Sequence, residues 1–426
     1  MNRRTGAIIT ALLCIATLTS CSGSLSEEPT SSASPSDPDR EAQGLRIGAI
    51  LARTGSFAEL GAAQIAGVQV ALDEINAGGG IAGRDVEVAV MDASDAQHPE
   101  VATSSAQALI EDGAPAIIGS SSSSVTLEII DEISAAGIVM VSPSDTFAVL
   151  SGSSGLFFRV VPPDTVHGGV LGNAVISDGF SNVAFLVAHD PHAMGLRDAA
   201  AATIYEAGGA MVSGSPGQEF DAGTTTFSPI VADALSSGPD AVVVLASPDQ
   251  TREVLLALVA AGQDMSKVYL ADSNVVNYGV GAGGLPVGAL TGAQGTLPGQ
   301  PPPDEFTARM SAVNPDLTTI SYGPEAYDAT MLISLAALEG DDVDADTIRQ
   351  HLGSVSGAGG GTECSGWTQC ARLIDEGERI AYRSVSGAGP FNAANDPSSA
   401  LIGVYQYNAE NTHAVRRIEE AETPLP

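Results

Sequence analysis

Lysine is almost missing from this 426-residue sequence: Lys267 is the only one, so chemistry that needs an ε-amino group has a single candidate. Aromatic residues make up only 4%, there is one tryptophan, Trp367, and cysteine occurs four times. Positive charge is scarce as a whole, with 17 Lys and Arg against 51 Asp and Glu, a formal net charge of −34. A chain this acidic, with no basic stripe, repels phosphate backbones, which argues against nucleic acid as a partner. Long apolar runs are missing too, since no window after the N-terminus supplies the ~20 uncharged residues that a membrane-spanning helix needs. Catalytic signatures are equally thin: there is no G-x-S-x-G elbow, Walker loop or H-E-x-x-H, and no G-x-G-x-x-G directly follows a strand pattern. The serine run Ser120–Ser124 has no base near it in sequence, and His189 or His192 would have to reach it across a cleft. Neither an enzyme nor a cofactor is expected.

What the chain does have is 44% apolar residues against 16% charged, enough for an ordinary core. At ~150 residues per domain, its length suggests two or three folded units. Arg3 and Arg4 precede the apolar run Ala7 to Ile15, and small residues lead on to Cys21, the order of an export signal over residues 1–20. Leu18-Thr19-Ser20-Cys21 resembles the bacterial lipobox, which implies a lipidated Cys21 as the mature first residue; a plain secretory peptide is the rival reading. Residues 21–43 are rich in Ser, Pro, Glu and Asp and read as a flexible tether, which would hang the rest of the chain outside the cell membrane by its lipid.

If Cys14 leaves with the signal and Cys21 carries lipid, Cys364 and Cys370 remain. An oxidising compartment favours pairing them, and closing so short a loop contributes about 2 kcal/mol. A zinc site is the rival, but Glu363 is the only further ligand nearby. Other metal candidates are weak. His189 and His192 lack a third ligand, and Asp341, Asp342, Asp344 and Asp346 lack the glycine and terminal glutamate of a calcium loop, so a helix-capping turn is expected there. Trp367 is expected to pack the cysteine loop down, with a docking contact as the alternative.

From Leu45 onward short apolar runs alternate with helical patterns. Leu45–Leu51, Val86–Met91, Ala116–Ile118, Ile138–Val141, Val183–Val187, Ala241–Leu245 and Val268–Leu270 read as buried strands. Over Gln64–Asn76 the residues Ile65, Val68, Leu72 and Ile75 recur at helical spacing, and Gly78-Gly79-Gly80 ends the helix. Strand–helix–strand order without hairpin signals implies an α/β fold with parallel sheets. Ala108-Leu109 to Gly113 followed by Ala116-Ile117-Ile118 is echoed by Ala234-Leu235 to Gly238 followed by Ala241-Val242-Val243. The chain therefore reads as two similar doubly wound lobes, joined by hinge crossovers, with a ligand cleft between them. Breaks at Arg159–Pro163 and Gly292–Pro303 place lobe one at 44–161 with 296–384 and lobe two at 162–295 with 385–426. A helix bearing Tyr327, Met331, Leu335 and Leu338 on one face and an alternating strand at Leu401–Tyr407 complete it.

Ligands of open parallel sheets bind beyond the carboxyl ends of the strands, where helix N-termini point free amides. Gly119 and Ser120–Ser124 follow one strand and lead into a helix; Ser142-Pro143-Ser144-Asp145-Thr146 follows the next. Together these two polar turns suit a carboxylate. The chain here resembles the leucine/isoleucine/valine-binding type of solute receptor for ABC importers, with the type I periplasmic binding fold. The carriers are Ile47-Gly48 to Thr54-Gly55-Ser56-Phe57, Asp73-Glu74-Ile75-Asn76-Ala77-Gly78-Gly79, Ile117-Ile118-Gly119 with its serines, Val141-Ser142-Pro143, Phe158-Arg159-Val160-Val161-Pro162 and Tyr327-Asp328-Ala329.

The resemblance implies that Ser123 and Thr146, flanked by Ser144 and Asp145, hold a ligand carboxylate. It places His192, Ser247 and Ser273 on the closing lobe, with Asp272 beside Ser273 where the family keeps an acid for the ligand ammonium. It further implies a monomeric receptor that takes a small amino-acid-like solute and hands it to ABC permease subunits in the membrane, without metal or cofactor. A sensor module relaying occupancy to a signalling partner is the alternative.

Overall fold

The computed structural model describes residues 44–279 and 284–425; the expected export signal, Cys21 and the tether lie outside the described residues. The first part of the chain runs β1 (Arg46–Leu51), α1 (Ala58–Ala77), β2 (Glu87–Asp92), α2 (Pro99–Glu111), β3 (Ala116–Gly119), α3 (Ser123–Ala135), β4 (Val139–Ser142) and β5 (Phe157–Arg159). These strands form one parallel sheet in the order β2-β1-β3-β4-β5. β3 and β4 are buried along their whole length, because helices cover both faces, and that is why their sequences show no polar alternation. Helix α1 begins at Ala58, ahead of the apolar spacing that marks Gln64–Asn76. Its first turn packs through Gly61, where a Cβ would stand 1.7 Å from the Ala52 carbonyl oxygen, so closeness rather than side-chain bulk holds that turn to β1. It ends as expected at Gly78–Gly80, with Gly79 and Gly80 at positive φ.

The chain then crosses over Val160–Pro163 into the second lobe. There it runs α4 (Asp164–Ser177), β6 (Asn182–Val187), α5 (Pro191–Glu206), β7 (Ala210–Ser213), α6 (Ser228–Ser236), β8 (Ala241–Leu245), α7 (Pro248–Ala260), β9 (Val268–Leu270) and β10 (Gln294–Pro298). It returns to lobe one for α8 (Asp304–Val313), α9 (Gly323–Gly340), α10 (Ala345–Val355), β11 (Thr362–Cys364), α11 (Gly366–Asp375) and β12 (Ile380–Tyr382), and ends in lobe two with β13 (Ser399–Tyr407) and β14 (His413–Glu422). The second sheet has the order β14-β13-β10-β9-β8-β6-β7. Each lobe has its own core. In lobe one α1, α9, α10 and α11 pack on one face of the sheet and α2 and α3 on the other, while α4 to α7 enclose the second sheet.

The two lobes differ more than the internal echo implies. β13 pairs antiparallel with β10, and β14 antiparallel with β13, a hairpin for which the sequence carries no two-residue turn signal. The expected lobe boundaries also shift. β10 stays in the second sheet to Pro298, past the break at 295, because it pairs with β13 through Ile402. Beyond 384 the chain remains in lobe one: the Asp328 carboxylate accepts the N–H groups of Val385 and Ser386, and Phe391 lies in the first core. Phe157–Arg159, which leads into the break read at Arg159–Pro163 and is not among the expected strands, is the edge strand of the first sheet.

Cys364 and Cys370 form a disulfide. Trp367 between them is 1% exposed, packs its ring on Gly78 and donates its backbone N–H to Glu74 Oε1 at 2.8 Å, so it fixes the loop to α1. Asp344 caps α10 by accepting the Thr347 N–H at 2.7 Å, the role expected of that acidic turn. No helix among the described residues is long and apolar enough to cross a membrane.

Candidate functional site

The turns after β3 and β4 meet at the carboxyl edge of the first sheet and hold each other rigidly. Ser121 Oγ accepts the Ala52 N–H at 2.9 Å and donates to Gln64 Oε1. Gln64 Nε2 in turn donates to Ser144 Oγ at 2.8 Å, and Ser144 Oγ donates to the Ser120 carbonyl at 3.0 Å. Asp145 is fully buried; Thr126 donates to its carboxylate, its own N–H reaches Ser142 Oγ at 2.9 Å, and burial pushes its pKa up to about 6. Ser144 and Asp145, expected from sequence to touch a ligand, are both buried within lobe one: Ser144 spends its hydroxyl there, while Asp145 accepts from Thr126 at Oδ2 and its Oδ1 has no hydrogen-bond partner.

Ser123 and Thr146 are placed differently. Ser123 Oγ accepts two backbone N–H groups, from Thr146 at 2.9 Å and Phe147 at 3.2 Å, and keeps its own proton as a donor. The carbonyls on either side of Thr146 are held by one side chain: Arg159 Nη1 donates to the Asp145 and Phe147 oxygens at 3.0 and 2.9 Å. Arg159 is itself buried and anchored by Asp396 at 2.6 Å. Thr146 is thus clamped through its N–H side and its C=O side, and its hydroxyl points to the other lobe.

Across the interlobe gap Thr146 Oγ1 lies 3.1 Å from His192 Nδ1. His192 sits in the first turn of α5, its N–H capped by Asp190. Its Nε2 lies 3.0 Å from Asp272 Oδ1, and its Nδ1 also lies 2.9 Å from Asp164 Oδ1. Burial alone would lower the His192 pKa, but the Asp272 and Asp164 carboxylates outweigh it and hold the ring well above its ordinary 6.5. A charged imidazole donates from both nitrogens, so the Thr146 hydroxyl accepts from His192 and keeps its own proton as a donor. Asp272 Oδ2 accepts the Tyr322 phenol at 2.6 Å, a second contact between lobes. Burial would raise Asp272, yet the neighbouring His192 charge keeps it far below the usual carboxylate range. Behind it stands His167, fully buried, with Nδ1 3.7 Å from Asp272 and Nε2 2.9 Å from Thr296 Oγ1; desolvation lowers its pKa.

Of the residues singled out in sequence, Ser123, Thr146, His192 and Asp272 come together. Ser247 does not join them: it is exposed and caps α7 through the Gln250 N–H. Ser273 turns its hydroxyl to the Ala246 carbonyl at 3.4 Å. His189 is exposed, 3.6 Å from Asp221, and no metal-binding trio of His, Cys, Asp or Glu occurs among the described residues. Sequence reasoning missed Asp164, His167, Tyr322 and the bracing Arg159. Asp164 had a weak signal in Pro162-Pro163-Asp164, a helix start directly after a crossover. Tyr322 had none; it lies in a left-handed turn (φ 62°) ahead of α9 and reaches a residue fifty positions away.

A two-lobed α/β molecule with polar strand ends facing across a hinge is the architecture of a solute receptor, and sequence comparison agrees. The chain belongs to the periplasmic binding protein family, whose model matches residues 44–364. It is 29% identical over 376 residues to the chemotactic signal transduction system substrate-binding protein BasB of Halobacterium salinarum, covering 84% of this chain and 86% of that one. It is 25% identical over 306 residues to the leucine-, isoleucine-, valine-, threonine-, and alanine-binding protein of Pseudomonas aeruginosa, covering 70% and 79% of the two chains. Among solved structures it shares its fold with the leucine-binding protein LivK of Thermotoga maritima, with a TM-score of 0.70, 18% identity and coverage of 89% and 99%.

Proposed function

We propose that this chain is a lipid-anchored extracytoplasmic receptor that captures a small carboxylate-bearing solute, an amino acid or a related carboxylate, and delivers it to the membrane subunits of an ABC permease. The observation that carries the reading is the contact of Thr146 with His192: the clamped turn of lobe one meets the charged end of α5 from lobe two. Ser123 and Thr146 present hydroxyl protons at the N-terminus of α3, where helix amides favour negative charge. Capture then proceeds by hinge motion at the crossovers, because contacts to both lobes exist only in the closed state. Ligands named for its relatives, branched-chain amino acids among them, support the solute class. Calorimetric titration of the purified protein with a panel of amino acids and small carboxylates is the test; absence of heat and of thermal shift with every member refutes it.

The likeness to BasB, named for chemotactic signal transduction, favours a second reading in which occupancy is relayed to a signalling partner. Crosslinking from the intact membrane separates the two, since recovery of permease subunits supports delivery and recovery of a transducer supports sensing.

A further inference from the structure

Resting on the receptor reading above, we propose that Asp396 and Arg159 are a positioning pair that ties the hinge to the solute site. Through them the first and third crossovers set where the Thr146 hydroxyl stands, so bending at the hinge and presentation of that donor are one event.

The chain passes between the lobes at 160–163, at 299–303 and again at 383–398, between β12 and β13. The three carbonyls from Asp145 to Phe147 are all tied to the first and third of these passages. The Thr146 carbonyl accepts the N–H of Asp164, the first residue of α4 in lobe two, at 2.7 Å. The carbonyls on either side are the two held by Arg159 Nη1, and Arg159 is the last residue before the first crossover. Arg159 is fastened to the third crossover as well. Its backbone N–H donates to the Asn395 carbonyl at 3.2 Å and its Nε to Asp396 Oδ1 at 2.6 Å, three residues before β13 begins in lobe two. One side chain and one backbone bond thus suspend the Thr146 turn between two crossovers.

Asp396 stands on a compact turn. Asn392 Oδ1 accepts the N–H groups of Ala394 at 2.8 Å and Asp396 at 3.2 Å, the Asn392 N–H reaches the Asp396 carbonyl at 2.8 Å, and Asn395 takes a left-handed conformation (φ 62°) that asparagine tolerates. The turn rests on lobe one, where the Ala394 carbonyl accepts the Gly152 N–H at 3.2 Å and Phe391 lies edge-on to Phe158 with ring centres 5.1 Å apart. A guanidinium is a planar fork whose donors cannot move independently. Displacing the carboxylate at Nε therefore displaces Nη1, and with it the two carbonyls that orient Thr146. Asp396 and Arg159 are both buried, so solvent does not screen the pair. Residues at the ends of elements absorb the change of backbone angle when domains close, and here such residues adjoin the anchors of the turn.

The test is hydrogen exchange read by mass spectrometry on the full chain without solute, for the wild type, Asp396→Asn and Asn392→Ala. Asp396→Asn keeps the side-chain shape, and the atom it changes, Oδ2, makes no hydrogen bond. Asn392→Ala leaves the pair intact and loosens only the turn that carries it, so it serves where the first variant folds poorly. The amides of Thr146, Phe147 and Asp164 should exchange roughly tenfold faster, while those of β1 and β8 keep wild-type rates. Calorimetry with L-leucine and 4-methylpentanoate should show Kd raised roughly tenfold at unchanged stoichiometry. A merely structural role speeds exchange across all of lobe one, β1 and β3 included, or leaves the Thr146 turn at its wild-type rate, and either pattern overturns the inference. Faster exchange at the turn with an unchanged Kd overturns it too. If neither compound binds the wild type, the loss falls on the receptor reading, and the exchange pattern alone decides whether the crossovers hold the turn.

Discussion

The two walls of the cleft are built on different principles. On lobe one, Ser120, Ser121, Ser144, Gln64 and Arg159 spend their hydrogen bonds on each other and on backbone, leaving Ser123 and Thr146 as neutral, immobile donors. On lobe two, the His192 imidazole lies 2.9 Å from Asp164 and 3.0 Å from Asp272, two carboxylates around one ring, and Tyr322 from the opposite lobe donates to Asp272. The first wall is preorganised by a dense network of internal hydrogen bonds, which fixes shape. The second is tuned by charge, and its state depends on pH and on closure. Rigid shape on one side with adjustable charge on the other lets a receptor hold a common carboxylate end while discriminating at the facing end.

The contrast breaks most readily at Arg159. It is buried against Asp396, and Arg159→Ala leaves an unpaired buried carboxylate; unfolding should lose about 3–5 kcal/mol in denaturant titrations. A loss under about 1 kcal/mol, typical of an exposed pair, would mean that lobe one does not depend on this clamp. Next, Ser123→Ala and Thr146→Ala should each weaken solute binding by ~1–3 kcal/mol, the loss of a hydrogen bond to a charged group; unchanged calorimetric affinity in both removes the donor assignment.

The charged wall should show itself in pH. His192 has a raised pKa, so its stabilisation is complete below 6.5 and fades as pH rises through the folded value. Asp272 has a lowered pKa, so its contribution is present above 3.8 and fades as pH falls toward the folded value. Thermal stability should therefore have a broad maximum between these limits, and His192→Gln should flatten its alkaline side; an unaltered profile would separate His192 from the cluster. The smallest effect is expected at Ser247, where alanine removes a helix cap worth about 0.5–1 kcal/mol and leaves affinity unaltered. Loss of affinity there would restore Ser247 to the site.

Much of this was legible in local pattern. Seven strands, six of them buried and β2 a half-buried edge strand, the glycine stop of α1, the first crossover and the two polar strand ends follow from period, composition and turn chemistry within a few residues. The antiparallel β13–β14 pair escaped because a longer connection carries no short turn signature, and the lobe boundaries slipped because Pro298 and Ser386 are held by partners distant in sequence. Ser144, Asp145, Ser247 and Ser273 stand in the right turns, but the direction of a side chain within a turn is set by what packs behind it.

The sequence alone determined that this chain folds as alternating strands and helices in two lobes with hydroxyl-rich strand ends, because apolar period, glycine and serine act over one or two turns of chain. Only the tertiary structure decided which of those side chains remain available. His192 and Asp272 are 80 residues apart and pair only once lobe two is folded, and Asp272 and Tyr322 are 50 apart and pair only where the two lobes meet, so neither contact exists in local sequence.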